Sequence, residues 1–410
     1  LALGRKKEEG KAKVGTEKEG YLMKKGFFAL TVMLLVMVLL ASCAPKVAPQ
    51  RVPAPGKTAT ETSPGVAKQG WEKEWDETVA AARKEGKVVV LFTGGAEIRN
   101  AMAKGFYDKF GVVMDSVSGA GVEVAEKLTR ERRAGLYLTD IYQGGVTTPA
   151  IILKPRELLG PLEQNFILPE LKDPAEVKKI WWGGELPWVD EEHKIFAFMA
   201  YPQAWVVINT NLVKPEEMKS FRDLLNPKWK GKIAIFDPTT TGAGGKLLSA
   251  VALQILSMDF WRELSKQDVF VTRDNRMLVE WVAHGKYAMA IAARPEEIAL
   301  FQKEGAPLMH RTPEEGIGLT TGSGGLAIMD RPPHPNAAKL FVNWLLSKEG
   351  MTVWSKAGDV QSARLDIATD FLSPEKVRQP GVKYYYLEKE KFLTQERELY
   401  LQAREIFGIR

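Results

Sequence analysis

The 410-residue chain reads as an α/β protein of two lobes, on three observations. Apolar strand runs alternate with helical stripes, the pattern of crossover units around a mostly parallel sheet. The folded portion, residues 71–410, is too long for one core and suits two lobes of ~150 residues each. Loops rich in glycine and hydroxyl residues follow successive strands.

Trp75, Val79 and Ala82 share a helical face, and the run KVVVLF at 87–92 has the continuous apolarity of a buried strand. Met102, Phe106 and Phe110 recur at i, i+4 and i+8, with Gly111 as C-cap. Residues 112–117 form the next strand. Val124, Ala125 and Leu128 start a helix that Gly135 closes, and 137–142 is the third strand. The alternation resumes with strands at 205–209 and 232–236, then a helix carrying Leu247, Val251 and Ile255. A helix ended by Gly285 leads into a strand at 287–292, and another strand spans 326–329. Pro335 opens a helix with Ala338, Phe341 and Leu345 on one face, which Gly350 stops. Residues 382–407 are expected to form a charged amphipathic helix or helix pair. No repeat of solenoid period is found.

Upstream, Lys24 and Lys25, an apolar stretch at 27–41 and the string Leu40-Ala41-Ser42-Cys43 have the parts of a bacterial lipoprotein signal. The stretch is short for a ~30 Å hydrocarbon core; an uncleaved signal anchor is the competing reading and leaves the topology unchanged. Residues 1–42 are therefore assigned to an upstream extension and signal, with Met23 as a candidate start. Residues 43–70 become the lipidated Cys43 and a Pro-, Ala-, Thr- and Lys-rich tether that cannot offset its ordering entropy. A diacylated Cys43 would hold the protein at the outer face of the cytoplasmic membrane or in the periplasm.

Cys43 is the one cysteine, which leaves no disulfide and no cysteine nucleophile. The net charge of +6 overstates the mature chain, because residues 1–42 hold eight Lys or Arg against four Glu. Residues 43–410 carry 49 basic and 47 acidic side chains in alternating sign, so nucleic acid is not an expected partner. A monomer is expected.

In parallel sheets ligands sit beyond the carboxyl ends of strands, against free N–H groups of helix N-termini. Thr93-Gly94-Gly95, Ser118-Gly119, Gln143-Gly144 and Thr240-Thr241-Gly242 stand at such places. Small residues admit a ligand to the backbone, and hydroxyls and amides donate to it; turn geometry alone is the competing role for each loop. Arg99 and Arg294 are the cations positioned to grip a carboxylate or phosphate, with an interlobe ion pair to a residue such as Glu296 as the alternative. Tyr201 and Trp205 offer an apolar wall, although core packing is the better account of Trp205. Phosphate-loop, dinucleotide and nucleophile-elbow motifs all fail on spacing. His193, His284, His310 and His334 lack metal-ligand spacing and read as surface or capping residues. No metal and no cofactor is expected.

The stretch from Val207-Ile208-Asn209-Thr210-Asn211 through Phe221-Arg222-Asp223-Leu224-Leu225-Asn226-Pro227-Lys228-Trp229-Lys230-Gly231-Lys232, followed by Asp237-Pro238 and Thr241-Gly242, resembles the extracellular solute-binding proteins of ABC importers. Within these it is similar to the group that includes the ferric-iron-binding proteins. Gly285-Lys286-Tyr287-Ala288-Met289-Ala290-Ile291-Ala292 and Gly325-Leu326-Ala327-Ile328 agree in order and spacing. The resemblance implies a type II periplasmic-binding-protein fold, two α/β lobes joined by crossing strands and closing on a ligand by hinge motion. The implied division is lobe 1 at 71–202 plus 323–365, lobe 2 at 203–322, and C-terminal helices at 366–410, with crossings near 196–209 and 323–329. It also implies an ABC permease and its ATPase as partners.

Iron-binding relatives carry a tyrosine pair just after the strand matching 287–292 and usually a histidine in the first loop; here Arg294-Pro295 and Gly94-Gly95-Ala96 stand there. An arginine repels a cation, so a small organic anion (carboxylate, sulfonate or phosphate ester) is the expected solute, with ferric iron or an iron complex as the alternative. Tyr384-Tyr385-Tyr386 is expected to pack a C-terminal helix outside the cleft. An exported lipid-anchored enzyme and a sensor subunit on the same fold are the readings from other classes, and the absence of a catalytic constellation argues against the enzyme.

Overall fold

A computed structural model describes residues 70–409 except 120 and 204. The stretch read as a lipoprotein signal, Cys43 and most of the expected tether lie outside the described residues. Thirteen strands in three sheets organise these residues.

The first sheet runs β2–β1–β3–β12–β4. Its strands are β1 (Lys87–Phe92), β2 (Val113–Ser118), β3 (Ile141–Gly144), β4 (Phe196–Ala197) and β12 (Gly325–Ile328). Helices α1 (Gly70–Glu85), α2 (Ala96–Phe110) and α3 (Gly121–Arg133) alternate with the first three strands. The expected stripe is the buried face of α2: Met102, Phe106 and Phe110 face the core, and Gly111 closes the helix at φ 69°. Helix α8 (Pro335–Leu346) packs on α1, and α9 (Lys348–Gly358) on α2.

The second sheet runs β10–β6–β9–β7–β8. It comprises β6 (Val206–Asn209), β7 (Ile233–Phe236), β8 (Phe270–Thr272), β9 (Met289–Ile291) and β10 (Leu308–Arg311). Around it lie α4 (Ala243–Ala250), α5 (Met258–Ser265), α6 (Asn275–Ala283) and α7 (Pro295–Lys303). Each sheet has its own apolar core, one around Val90, Phe106 and Trp344, the other around Ile208, Ile235 and Trp261.

A third, three-stranded sheet joins the two: β5 (Tyr201–Pro202), β11 (Ile317–Thr320) and β13 (Tyr384–Tyr386). β11 pairs antiparallel with β5 and parallel with β13. The chain thus crosses between the sheets three times.

Five expectations are corrected. The large sheets are mixed rather than mostly parallel, because β12 and β4 in the first and β6 and β10 in the second run against their neighbours. The third strand is shifted to Ile141–Gly144, Leu136 and Leu138 being exposed before it. Gly350 does not stop a helix: α8 ends at Leu346, Ser347 caps α9, and Gly350 sits in its first turn, where a Cβ would meet the Trp344 carbonyl at 2.1 Å. The second crossing precedes residue 323. Residues 384–386 are strand, not helix, since a tyrosine run suits a pleated ribbon and β11 offers it an edge. Helix α10 (Glu396–Phe407) does form, packing on α4 and α5.

Candidate functional site

The loops after β1, β2 and β3 are tied to one another. The Thr93 N–H donates to the Gln143 carbonyl at 3.0 Å. A Cβ on Gly144 would lie 2.0 Å from Thr93 Oγ1, so that glycine is fixed by close approach. The Arg99 guanidinium donates to Ser118 Oγ at 2.6 Å. Gln143 is fully buried, its Nε2 donating to the Ser323 carbonyl just after the crossing segment while its Oε1 has no partner. Gly95 enters α2 with no side-chain cap, leaving first-turn N–H groups free of one.

In the second sheet, β7 is followed by Asp237, whose carboxylate accepts from the Thr239 N–H and hydroxyl at 2.7 Å each and pairs with Arg273 at 2.7 Å. Burial works to raise its pKa, but these donors hold it below the usual carboxylate range. Thr240, Thr241 and Gly242 follow, and Gly242 enters α4 at φ 116°, a conformation that favours glycine. Gly244 and Gly245 let α4 sit against the strand end, since a Cβ on either would strike the Asp237 or Thr240 carbonyl at 2.3 and 2.2 Å.

A cavity of about 400 Å³ opens between the crossing strands, elements around the second sheet and the end of α9. Tyr201, Gly242 and Arg294 line it, so the structure brings these three expected residues together. Thr93, Gly94, Gly95, Arg99, Ser118, Gly119, Gln143, Gly144, Thr240 and Thr241 are not on its wall. Gly322 links the two groups: its carbonyl lies 3.5 Å from where a Cβ on Gly145 would stand, and Tyr201 packs against it.

Arg294 is exposed and caps α7, its N–H donating to Asn275 Oδ1 at 3.0 Å. Its guanidinium forms no ion pair among the described residues, with Glu296 or any other; the interlobe bridge is not made. Just before it, buried Ala292 adopts φ 60°, a conformation costing a non-glycine residue about 1–3 kcal/mol. The Ala292 N–H bonded to the Trp205 carbonyl at 2.8 Å holds this turn. Trp205 is 1% exposed and packs near Phe221, so it is a core residue whose edge borders the cavity.

Four lining residues carry no motif in the sequence: His310, Asp359, Glu375 and Lys376. His310 is neither a surface nor a capping residue. It lies in β10, burial lowers its pKa although Glu375 pulls the other way, and its buried Nδ1 has no partner. Lys376 pairs with Asp359. The wall thus sets Arg294 free beside a committed lysine, with Glu296, Asp359 and Glu375 as acceptors. The Tyr201 phenol is pushed well above its ordinary value, first by burial and then by Glu388 and Glu296, so it is neutral. Tyr385 donates to the Glu315 carbonyl and Tyr384 accepts from the Gln379 N–H, so the tyrosine run does not converge on this cavity. Among the described residues no cluster of three His, Cys, Asp or Glu side chains is placed to hold a metal.

Residues 194–358 match the family of bacterial extracellular solute-binding proteins. An uncharacterised protein of Haemophilus influenzae is 25% identical over 289 residues, covering 68% of this chain and 78% of that one. Among solved structures, the periplasmic binding protein AfuA of Actinobacillus pleuropneumoniae, with exogenous fructose-6-phosphate bound, is 22% identical, covers 80% of this chain and 100% of its own, and has a TM-score of 0.55. The Trichodesmium protein IdiA (FutA), in complex with iron and citrate, is 16% identical, covers 78% and 99%, and has a TM-score of 0.61. The fold is that of the periplasmic binding proteins, as the resemblance implied.

Proposed function

We propose that this chain, a solute-binding protein of the ABC-importer kind by family match and fold, captures a small organic anion in the cavity that Arg294 borders. The observation that carries the reading is the guanidinium of Arg294, without an ion pair among the described residues, on the wall of a cavity of about 400 Å³ beside the crossing strands. Such a group offers paired, charge-assisted donors to a carboxylate or phosphate. Glu296, Asp359 and Glu375 are acceptors for hydroxyl groups on the same solute, which suits a hydroxylated phosphate ester better than a bare anion. AfuA, with its hexose phosphate, supports that choice.

The lobes are taken as 71–202 with 323–365 and as 203–322, closing about the crossing strands and docking as a monomer on a permease served by an ATPase. Cys43 carries the lipid that keeps the exported protein beside it. The chain binds and releases; it catalyses nothing.

An iron complex is the second reading, favoured by the iron and citrate held by the Trichodesmium protein. Among the described residues Tyr201 is the single tyrosine on the cavity wall, and Arg294 opposes a bare cation, so iron fits here as an iron-bearing anion. Calorimetry separates the two. Fructose 6-phosphate should bind and ferric citrate should not; binding of ferric citrate alone refutes the phosphate-ester reading.

A further inference from the structure

A cluster of buried charges sits beside the crossings, outside the cavity. Glu388, just past β13, is 8% exposed. Its Oε2 accepts from the Thr321 N–H at 2.6 Å and its Oε1 from the Thr320 hydroxyl at 3.2 Å. Lys246 Nζ, from α4, lies 3.1 Å from Glu396 Oε1 and 3.9 Å from Glu388 Oε1. The same ammonium is 3.5 Å from Thr147 Oγ1, which follows β3 in the first lobe. Tyr400 donates to Glu396 Oε2 at 3.1 Å. One ammonium therefore serves two buried carboxylates and reaches from one lobe to the other.

We propose that Glu388 is a positioning residue whose charge state sets the angle between the lobes, and with it the fit of the cleft around a solute. It fastens the exit of β11 to the C-terminal strand and shares Lys246 with Thr147 across the lobes. A rotation that parts Thr147 from Lys246 lets water reach the cluster. The titratable groups that interact with Glu388 are Lys246 from α4, Glu396 from α10, Tyr201 from β5 and Tyr386 from β13; Tyr400 from α10 acts on Glu396, and Arg378 and Glu185 act on Tyr386.

Burial pushes the Glu388 carboxyl above the usual range; Lys246 and the two threonines oppose this and Glu396 reinforces it. A carboxyl whose pKa is raised in one arrangement favours that arrangement when protonated. The lobe setting seen here is thus held at low pH. It loosens as pH rises through the raised value, when one lysine must serve two charges. The consequence for affinity rests on the solute-binding reading; the lobe motion does not.

The test needs no solute. In the full chain carrying Cys43→Ser, nitroxide labels are placed at Tyr107→Cys and Leu300→Cys, exposed positions in α2 and α7. Pulsed electron–electron distances are read across the whole pH range in which circular dichroism shows the chain folded. One population is expected at the acid end and a second should grow as pH rises, whereas Glu388→Gln keeps the acid-end distance throughout. Should Glu388→Gln misfold, Glu396→Gln leaves Lys246 to Glu388 alone and should move the onset of the second population to a different pH. An unchanging wild-type distance, a Glu388→Gln profile that follows the wild type, or an onset unmoved by Glu396→Gln overturns the proposal. Failure of every candidate solute to bind would refute the anion reading and leave this result standing.

Discussion

Gly322 and Tyr201 meet so closely that a Cβ on Gly322 would lie 2.2 Å from the Tyr201 hydroxyl. Gly322 also holds φ 54°, so a side chain there is strained as well as obstructed. Because Tyr201 lines the cavity, the contact fixes one wall from the crossing segment. Gly322→Ala should cost about 1–3 kcal/mol by overpacking, read from urea unfolding. Adding Tyr201→Phe, which removes the obstructing hydroxyl, should recover part of the loss. No recovery would mean that backbone strain, not the contact, dominates.

Arg294→Ala should weaken an anionic solute by at least ~1 kcal/mol, about fivefold, the worth of a lost charged hydrogen bond. Arg99→Ala should do less, since Arg99 is tied to Ser118 and lies off the cavity wall. Calorimetry with fructose 6-phosphate compares them; equal affinities for wild type and Arg294→Ala would remove Arg294 from the site.

Asn343 is fully buried in α8. Its Oδ1 accepts from the Ile167 N–H at 2.7 Å, and its Nδ2 donates to the Asn165 and Lys339 carbonyls at 2.8 Å each. Asn343→Leu orphans a buried N–H and removes a donor from the Asn165 carbonyl, so a loss of about 1–3 kcal/mol is expected. Thermal unfolding monitored by circular dichroism provides the check.

Asp366 sets an acid limit on stability. Burial would raise its pKa, but the Arg364 guanidinium, bonded to both its oxygens at 2.9 Å, holds it below the usual range. A depressed folded pKa contributes stability that is present above the unfolded value and is lost as pH falls through the folded one. Asp366→Asn should therefore destabilise the protein at pH 7, and the difference should shrink towards pH 3. A difference that stays constant in urea titrations at the two pH values would contradict this.

The strands of the first sheet and the helices between them are legible in the sequence because apolar runs and stripes are local signals, as in Lys87–Phe92 and the Met102–Phe106–Phe110 face. The parallel pairing of β13 with β11 is not local, and an amphipathic reading of 382–407 extends a helix over a segment that tertiary pairing makes a strand. Arg294 was legible from its place just past a strand. His310, Asp359, Glu375 and Lys376 were not: they come from separate parts of the chain, and only the fold brings them to one cavity. Conversely, Gly144 reads as a ligand-facing small residue or turn former, and its close approach to Thr93 within the fold accounts for it.

Native mass spectrometry of the protein released gently from its own cells tests the central claim most directly. A bound organic solute of negative charge should be released on denaturation and be missing from Arg294→Ala. A bare ferric ion, or a neutral or cationic solute retained by Arg294→Ala, would contradict it.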